Sequence, residues 1–487
     1  MKVSELLQGL IKKENLTMYE YLDVSGITDS SLEVKRGDMF IAIKGNTSDG
    51  HFFIDDAVAK GASIIIGEEQ LDNLPIPYVQ ISNTRKALGI ISKRFFKEPA
   101  KNKILIGITG TNGKTTTSYL VKHILENNGY SCSLIGTIKN IINGRTVPSV
   151  NTTPSSLLLN KILSESDDQV VVMEVSSHGL AQDRVEGIEF DFCLFTNLTH
   201  EHLDYHGTME QYFETKALLF EKLKPGGTAI INVDNFYGEK LRDRLKAQGK
   251  RVITIGADQT ADLVIAKESF GQYALIIESN ISFELQSSIP GLHNIYNGLM
   301  AYAVAFQFCS NRNDILSSIK HFSGVPGRFK TFHTQEGVTV VVDYAHTADA
   351  FFYCLTAAKK RGAKRVTHVF GFRGGRDESK RAEMMSVSAE LSDLFVLTLD
   401  DLNGVSEDKM LHTLHHLNHS IGNGKGLVIS DRTAAIRIAL ENSRRGDWLL
   451  ITGKGHEDYE EIHNFALGTS SDIESVQTLL KLHESYG

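Results

Sequence analysis

One stretch, Lys103–Leu125, constrains the fold more than any other part of the chain, and its sequence is KILIGITGTNGKTTTSYLVKHIL. Residues Ile104–Ile108 form a short apolar run, which is typical of a buried parallel strand. A glycine-rich turn follows, and from Thr116 the apolar residues recur at helical spacing. This order predicts an anion-binding turn, because glycines let backbone N–H groups point inward and a helix N-terminus carries partial positive charge.

The turn also contains the side chains that phosphate binding requires. Lys114 can reach terminal phosphates, and the Thr115 hydroxyl can bind Mg²⁺. The residues predicted to bind ATP here are Gly110, Thr111, Asn112, Gly113, Lys114, Thr115 and Thr116. The strict phosphate-loop pattern requires glycine where this chain has Ile108, so the prediction depends on the order of strand, turn and helix. The alternative is a glycine-rich turn that carries an incidental surface lysine.

Length and charge limit the classes of function that remain. A chain of 487 residues predicts about three domains. The net charge of −8 argues against a general nucleic-acid or anionic-membrane binder. No apolar run approaches the ~18 residues of a membrane span. The four cysteines, at positions 132, 193, 309 and 354, lack metal-binding spacing, so we expect a reduced, cytoplasmic protein.

Polar residues follow predicted strands in the middle of the chain, at Val170–Val175, Phe192–Leu198, Thr228–Val233 and Val252–Ile255. Intervening helical segments indicate βαβ units, in which ligands lie beyond the carboxyl ends of the strands. Glu174 ends the apolar run VVVME, where an acid is costly unless it is paired or metal-bound. With His202 nearby, a carboxylate and an imidazole suit Mg²⁺ shared with phosphates. The alternatives are zinc bound by the histidines at 200, 202 and 206 with Glu201, or simple loop histidines.

The last third of the chain repeats this pattern with five predicted strands, at Val338–Val342, Val366–Phe370, Leu394–Leu399, Leu427–Ser430 and Trp448–Thr452. Each strand ends in a polar cluster, at residues 343–346, 373–377, 400–403, 431–432 and 453–457. Five clusters at equivalent positions predict one crevice lined by polar side chains. The alternative is charged residues scattered around the sheet.

Four motifs, GxTGTNGKTT, EVSSHGLAQDRV, FTNLTHEHLDYHGTMEQYFETKALLF and GLHNIYNG, resemble the Mur ligase family, in particular its muramyl-tripeptide-forming branch. The resemblance implies an α/β fold with three domains. These are a small α/β UDP-binding domain (1–100), a central parallel-sheet P-loop-type ATPase domain (101–330) and a C-terminal Rossmann-like domain (331–487).

The same resemblance implies an ATP-dependent amide ligase that uses ATP and Mg²⁺. The enzyme would add a free amino acid to UDP-N-acetylmuramoyl-L-alanyl-D-glutamate through an acyl phosphate. This step belongs to peptidoglycan precursor synthesis, and with it to cell-wall formation, cell shape and cell division. A monomeric protein without nucleic-acid or membrane partners is expected.

Residue roles follow from the resemblance, position by position. It implies contacts with the UDP-linked substrate for Ser30, Thr152, Thr153, Ser176, Gln182 and Arg184. It implies further ATP contacts for Asn294, Asn297, Arg328 and Asp343, and Mg²⁺ ligation by Thr115, Glu174 and His202. It implies catalytic roles for Lys114, Lys216, His202 and His346, with Lys216 carbamylated to N6-carboxylysine. It implies amino-acid binding by Arg376, Asp400, Asp401, Asn403, Gly453 and Glu457.

One departure from the family pattern concerns the amino acid that is added. Members that use diaminopimelate read Asp-Asn-Pro-Arg in the third cluster, where the arginine holds the distal carboxylate. This chain has Asp400-Asp401-Leu402-Asn403, and an asparagine cannot form that ion pair. The sequence therefore argues against diaminopimelate, and Asp401 favours a basic side chain such as lysine or ornithine. A paralogue that ligates another acceptor or amino acid in a secondary pathway, and a non-catalytic nucleotide-binding regulator, stay open as alternatives.

Overall fold

The computed structural model describes residues 1–45, 48–309, 311–459 and 466–486, with side chains as far as residue 482. The chain divides into two compact units. The first unit comprises Met1–Gly107, Tyr130–Cys193 and Leu218–Gly227, and the second comprises Ile108–Gly129, Leu194–Ala217 and Thr228–Gly487. Within the described residues, no helix is both long and apolar enough to cross a membrane.

The N-terminal part of the first unit is a small parallel sheet covered on both faces. Its helices are α1 (Val3–Leu6), α2 (Lys13–Leu16), α3 (Ile54–Ala59) and α4 (Thr84–Phe95), and its strands are β1 (Ile27–Thr28), β2 (Met39–Ile41), β3 (Ile64–Gly67) and β4 (Tyr78–Gln80). The strands pair in parallel in the order β1-β2-β3-β4. Met39 and Ile41 pack in one core with residues of α4, whereas Phe40 packs in a second core with residues of α3. Strand side chains alternate between faces, so a strand buried on both sides is apolar throughout.

The middle of the chain contains most of the strands. Its elements are β5 (Ile104–Thr109), α5 (Lys114–Asn127), β6 (Cys132–Ile135), β7 (Lys139–Ile142), β8 (Arg145–Pro148), α6 (Ser156–Glu165), β9 (Val170–Glu174), α7 (Ser177–Ala181), β10 (Phe190–Phe195), α8 (Leu203–His206), α9 (Met209–Glu221), β11 (Leu223–Asn232), α10 (Phe236–Ala247), β12 (Arg251–Gly256), β13 (Leu263–Ser269), β14 (Tyr273–Glu278), β15 (Ile281–Gln286), α11 (Leu292–Ala305) and α12 (Arg312–Lys320).

The four strands predicted in this region are confirmed as β9, β10, β11 and β12. In the first unit β6 lies parallel to β9, and in the second unit β11, β12 and β13 pair in parallel. The sequence did not predict the antiparallel additions, which are β7–β8 in the first unit and β13–β14–β15 in the second. Half-exposed antiparallel strands lack the continuous apolar run on which the strand predictions depended.

The C-terminal part of the second unit is a six-stranded sheet flanked by helices. Its elements are β16 (Lys330–His333), β17 (Thr339–Asp343), α13 (Ala348–Lys360), β18 (Val366–Phe370), α14 (Arg381–Leu391), β19 (Leu394–Leu397), α15 (Glu407–Ile421), β20 (Gly426–Val428), α16 (Arg432–Glu441), β21 (Trp448–Thr452) and α17 (Asp472–Tyr486). The strand order is β16-β17-β21-β18-β19-β20, and only the edge strand β16 pairs antiparallel. The five predicted strands are confirmed, and their carboxyl ends lie at one edge.

A buried ion pair joins α16 to α17 in this part of the molecule. Arg432 and Asp472 have side chains that are 0% exposed. The guanidinium donates to both carboxylate oxygens at 2.7 Å and to the carbonyl of Thr452 at 2.8 Å. Removing one partner of such a pair leaves a buried charge uncompensated, which is strongly destabilising.

We therefore expect Asp472→Asn to lower the free energy of unfolding of the C-terminal part by about 3–5 kcal/mol. Denaturant unfolding of both proteins measures the change. The matched control is Glu441→Gln, which breaks the exposed Arg437–Glu441 pair and should change stability by less than about 1 kcal/mol. Equal effects of the two substitutions would contradict the structural role of the buried pair.

Candidate active site

The turn between β5 and α5 has a backbone that requires glycine at two positions. Gly110 has a φ of 144°, and a Cβ there would lie 1.9 Å from Thr196 Oγ1. Gly113 caps α5 with a φ of 87°, and a Cβ there would lie 2.4 Å from Asn297 Oδ1. Both positions therefore exclude side chains through backbone conformation and through lack of space.

The segment that follows β10 holds this turn in place. The N–H of Asn112 donates to Asn197 Oδ1 at 2.9 Å, and the Asn197 amide donates back to the carbonyl of Asn112 at 3.1 Å. The hydroxyl of Thr196 donates to the same carbonyl at 2.6 Å. The N–H of Thr111 donates to the backbone carbonyl of Asn197 at 2.9 Å. These contacts fix the turn without using the N-terminal N–H groups of α5.

Two cations lie at the start of α5. Lys114 Nζ donates to the carbonyls of Gly110 and Thr111, each at 2.9 Å, so its stem curls back over the turn. Arg328 Nη2 lies 3.4 Å from Thr115 Oγ1, and its guanidinium lies 4.3 Å from the centre of the Tyr344 ring. The helix N-terminus thus has positive groups from both the turn and the segment before β16, which suits a polyanion.

The two asparagines of α11 connect this turn to a neighbouring cavity. Asn297 accepts from the Thr117 hydroxyl at 3.2 Å and donates to Asn294 at 3.0 Å. Asn294 in turn donates to the carbonyl of Pro290 at 2.8 Å. Both asparagines line a cavity of about 260 Å³ together with Asn112, Gly113, Thr116, Arg328, Asp343 and His346. Eight residues predicted for ATP binding or catalysis therefore share one cavity.

Asp343 and His346 are fixed by backbone contacts at the end of β17. The Asp343 carboxylate accepts from the N–H groups of Phe329 and Ala345, both at 2.6 Å. His346 Nδ1 lies 2.8 Å from the carbonyl of Tyr344, which assigns the proton to Nδ1 and leaves Nε2 as an acceptor. Burial and the nearby cations Lys380 and Arg373 hold the pKa of His346 well below its ordinary value. The imidazole is therefore neutral.

Lys216 lies on α9 with its amine in an enclosed position. Its side chain is only 1% exposed, and Nζ donates to the carbonyl of Gly110 at 2.8 Å. Burial, reinforced by the Lys114 cation, holds the pKa of Lys216 well below its ordinary value. A neutral amine is a nucleophile, so this lysine has the form that can add to CO₂.

The residues predicted to contact the UDP-linked substrate all belong to the first unit, and all of them except Ser30 are joined by hydrogen bonds. The Thr153 hydroxyl lies 3.3 Å from that of Ser176 and donates to the carbonyl of Glu174 at 2.9 Å. Arg184 donates to the carbonyl of Thr153 at 2.7 Å and to Gln182 Oε1 at 2.8 Å. The Thr152 hydroxyl lies 3.1 Å from the hydroxyl of Thr137, which in turn contacts Glu174. Ser30 lies in the N-terminal part, where its N–H donates to Thr28 at 3.1 Å.

The predicted metal ligands differ in their surroundings. Glu174 is 0% exposed, and its carboxylate accepts from the N–H of Thr137 at 3.0 Å and from the Thr137 hydroxyl at 2.9 Å. An ionised carboxylate offers about four lone-pair sites, and such oxygens are ligands that Mg²⁺ prefers. His202 caps α8 with a φ of 58°, an uncommon conformation for a residue other than glycine.

The zinc alternative is not supported by the side chains around His202. The Glu201 carboxylate accepts from Lys380 Nζ at 2.9 Å through both oxygens, and His200 Nε2 lies 3.0 Å from the Ser379 hydroxyl. Among the residues that the structure describes, three metal-type ligand atoms group together at Asp49, His51 and Glu69. Both ring nitrogens of His51 already have partners there, Asp49 at 2.6 Å and the N–H of Glu68 at 2.8 Å.

The polar clusters of the C-terminal sheet converge, as predicted. The Lys454 ammonium contacts the Asp401 carboxylate and lies 3.8 Å from that of Asp400. Arg373 contacts Glu457, whose other oxygen accepts from the Tyr344 hydroxyl at 3.0 Å. Two other residues predicted to bind the amino acid lie in the same group. A Cβ at Gly453 would lie 2.9 Å from the Asp400 carboxylate, and the Asn403 amide donates to the carbonyl of Gly374 at 3.1 Å. A third, Arg376, is exposed.

Several functional candidates were not assigned from sequence. Asn197 and Thr196 hold the turn between β5 and α5, and Lys380 connects Glu201 to the carbonyl of His346 at 3.0 Å. Arg373 and Tyr344 lie within the converging clusters. Their signal was a position at the end of a predicted strand or in the loop that follows one, which indicates the edge of the sheet but not the direction of a side chain.

Comparison with known proteins identifies the family. Residues 23–96 match the model of the Mur ligase family catalytic domain, residues 108–305 the Mur ligase middle domain, and residues 327–455 the Mur ligase glutamate ligase domain. The UDP-N-acetylmuramoyl-L-alanyl-D-glutamate--2,6-diaminopimelate ligase of Clostridium botulinum is 37% identical over 452 residues, which are 90% of this chain and 91% of that protein. The chain belongs to the Mur ligase family.

A second relative and a solved structure agree with this assignment. The ligase of the same name from Alkaliphilus metalliredigens is 37% identical over 95% of this chain and 94% of that protein. A solved structure of a UDP-N-acetylmuramoyl-L-alanyl-D-glutamate--2,6-diaminopimelate ligase superposes with a TM-score of 0.69 at 27% identity, covering 99% of this chain and 100% of that one. This Mur ligase is thus an ATP-dependent ligase that forms amide bonds, with the expected α/β fold. The domain boundaries at residues 100 and 330 and the individual residue roles stay predictions.

The glycine at the start of α5 gives a direct test of the turn. We expect Gly113→Ala to weaken binding of a non-hydrolysable ATP analogue by at least about 10-fold, because the new methyl group collides with Asn297. The matched control is Gly129→Ala beyond the other end of α5, where φ is 89° but a Cβ would meet no atom within 4 Å. Titration calorimetry measures both. Equal weakening by the two variants would mean that steric exclusion at the turn is not the cause.

Proposed function

We propose that this Mur ligase adds an amino acid to UDP-N-acetylmuramoyl-L-alanyl-D-glutamate in peptidoglycan precursor synthesis, in the cytoplasm and as a monomer. The carboxylate of the acceptor attacks the γ-phosphoryl group of ATP, ADP leaves, and an acyl phosphate forms. The amine of the amino acid then displaces phosphate and loses a proton, which gives the amide. The observation that carries the proposal is the rigid turn at residues 110–113, which lies beside a cavity lined by predicted nucleotide contacts. Relatives named for this reaction match over nearly the whole chain.

The cations around the turn support the phosphate-binding step. Lys114 occupies the position from which its ammonium can move from the carbonyls of the turn to a phosphate. The Arg328 guanidinium contacts the Thr115 hydroxyl and lies over the Tyr344 ring, and these two contacts restrict the arginine side chain. A preorganised pair of cations stabilises charge that develops during phosphoryl transfer without reorganising at that moment.

The side chains at positions 115, 174 and 202 are a hydroxyl, a carboxylate and an imidazole, which are residue types compatible with Mg²⁺. The buried Glu174 carboxylate accepts from the N–H and from the hydroxyl of Thr137. When bound, Mg²⁺ would neutralise charge on the phosphates. Within the protein, Thr137 orients the carboxylate of Glu174, and Tyr212 stacks edge-on against the His202 ring at 6.1 Å.

His346 and Lys216 are both uncharged, which suits the roles proposed for them. The neutral His346 presents Nε2 as an acceptor, which suits a hydrogen bond from the attacking amine that orients it. The neutral Lys216 amine can take up CO₂ and release a proton, and the resulting carbamate would place an anion where the neutral amine lies, close to Lys114. Both assignments depend on burial, which keeps these groups uncharged.

The proposed reaction predicts a specific defect in Lys114→Ala. We expect ATP-dependent phosphate release with UDP-N-acetylmuramoyl-L-alanyl-D-glutamate and an amino acid to fall by at least about 100-fold, because a charge-stabilising donor is lost. The assay compares wild type and variant over a panel of amino acids, and Lys122→Ala on the same helix is the control.

The substrate panel also separates the alternatives. Phosphate release that requires the UDP-linked dipeptide supports the proposed acceptor. Turnover that occurs with another acceptor instead would favour a paralogue in a secondary pathway. Nucleotide binding without turnover for any combination would contradict the proposal and favour a regulator.

Carbamylation of Lys216 can be tested independently of turnover. We expect ¹³C-bicarbonate to produce a carbamate signal in the ¹³C NMR spectrum of the wild type, because the lowered pKa of Lys216 favours the neutral amine. The signal should be absent from Lys216→Arg and retained in Lys222→Arg, whose lysine is partly exposed and paired with Glu186. A signal that survives Lys216→Arg would contradict the assignment.

A further inference from the structure

Helix α15 carries a concentration of imidazole groups on the surface of the C-terminal part. Four of the chain's 18 histidines lie within the eight residues from 412 to 419. They are His412, His415, His416 and His419, and all four are exposed. Imidazole is a metal ligand as well as a polar surface group. The arrangement of these side chains on the helix therefore decides between a solvated face and a metal site.

The helix fixes the direction in which the four histidines point. Its buried residues, Met410 and Leu414, define the face that packs into the C-terminal part, where α15 contacts α14 and β20. Successive residues of an α-helix are about 100° apart around the axis. This places all four histidines within an arc of about 100°, on the side opposite Met410 and Leu414. They share the solvent face of α15.

Two pairs of histidines on this face are one helical turn apart. His412 and His416 are separated by four residues, and so are His415 and His419. Residues at this spacing are neighbours, with Cβ atoms about 5–6 Å apart. Exposed side chains can rotate, and a zinc–nitrogen bond is about 2 Å long, so both imidazoles of a pair can reach one ion. The two histidines of the helical H-E-x-x-H zinc motif have the same spacing.

The backbone that carries these pairs is held at both ends. At the start of α15 the Ser406 hydroxyl accepts from the N–H of Lys409 at 3.4 Å. Near the end of the helix the Asn418 amide donates to the carbonyl of Gly426 in β20 at 3.1 Å. The buried apolar face lies between these two attachments. Ligand positions that are fixed in advance lose less entropy when an ion binds.

The imidazoles of α15 are not committed to other groups. Within the described part of the chain, none of the four makes a side-chain hydrogen bond or an ion pair, and the Ser420 hydroxyl contacts only the backbone carbonyl of His416, at 2.8 Å. By contrast, the closer group of Asp49, His51 and Glu69 includes a histidine with partners on both ring nitrogens. Exposure and available ring nitrogens therefore favour α15 as the place for an ion.

We propose that the solvent face of α15 binds a divalent transition-metal ion of the Zn²⁺ class, chelated by two histidines four residues apart. The chelating pair is His412 with His416 or His415 with His419, and water completes the coordination. Imidazole nitrogens select such ions over Mg²⁺, which prefers oxygen ligands. The site is separate from the ligase reaction, because other side chains line the cavity proposed for the nucleotide.

The test is a calorimetric titration with Zn²⁺ in an excess of Mg²⁺, and it compares variants that differ in histidine spacing. Replacing all four histidines by Gln should remove the binding. His415→Gln with His419→Gln leaves one pair four residues apart and should keep Kd within about 3-fold of wild type. The matched control, His412→Gln with His419→Gln, leaves two adjacent histidines that do not face each other. It should weaken binding by about 10- to 100-fold.

Three results would overturn the proposal and leave the ligase function intact. They are equal affinities of the two double variants, binding at wild-type strength in the quadruple variant, and a wild type that binds Zn²⁺ no more tightly than about 1 mM. Phosphate release without Zn²⁺ should be the same in every variant. A fall in the quadruple variant would contradict the separation of this site from the ligase reaction.

Discussion

The molecule depends on one backbone conformation, that of residues 110–113. The turn can present the N-terminus of α5 to an anion only while Gly110 and Gly113 keep their positive φ angles. The conformation is enforced from outside by the Asn197 amide, the Thr196 hydroxyl and the space that Asn297 leaves. The segment after β10 and helix α11 therefore hold the turn at which the nucleotide is proposed to bind.

Burial sets the charge state of the groups around that turn. Lys216 and His346 have pKa values well below their ordinary ranges because both are enclosed and both lie near other cations. A neutral amine and a neutral imidazole are reactive where their protonated forms are not. In contrast, the Lys380 ammonium donates to the Glu201 carboxylate and to the carbonyl of His346. It therefore links the segment after β10 to the segment after β17.

The parts of the fold that could be predicted from the sequence are those with strong local signals. The β5–turn–α5 unit and the buried parallel strands are visible as apolar runs bounded by polar clusters, and they occur where they were predicted. The antiparallel strands β13–β15 were missed because apolar and polar residues alternate too weakly along these half-exposed strands to form a recognisable pattern. Arg373 was visible as part of a cluster, but its pairing with Glu457 depends on loops that lie far apart in the sequence, which no local pattern encodes.

The most direct measurement is a crystal structure with a non-hydrolysable ATP analogue. We expect the β- and γ-phosphates to lie at the N-terminus of α5, beside Gly113, with Lys114 moved from the carbonyls of the turn to the phosphates. The adenosine should occupy the cavity beside Asn294 and Asn297. An analogue bound elsewhere, with the turn empty and Lys114 still on the carbonyls of Gly110 and Thr111, would contradict the central claim.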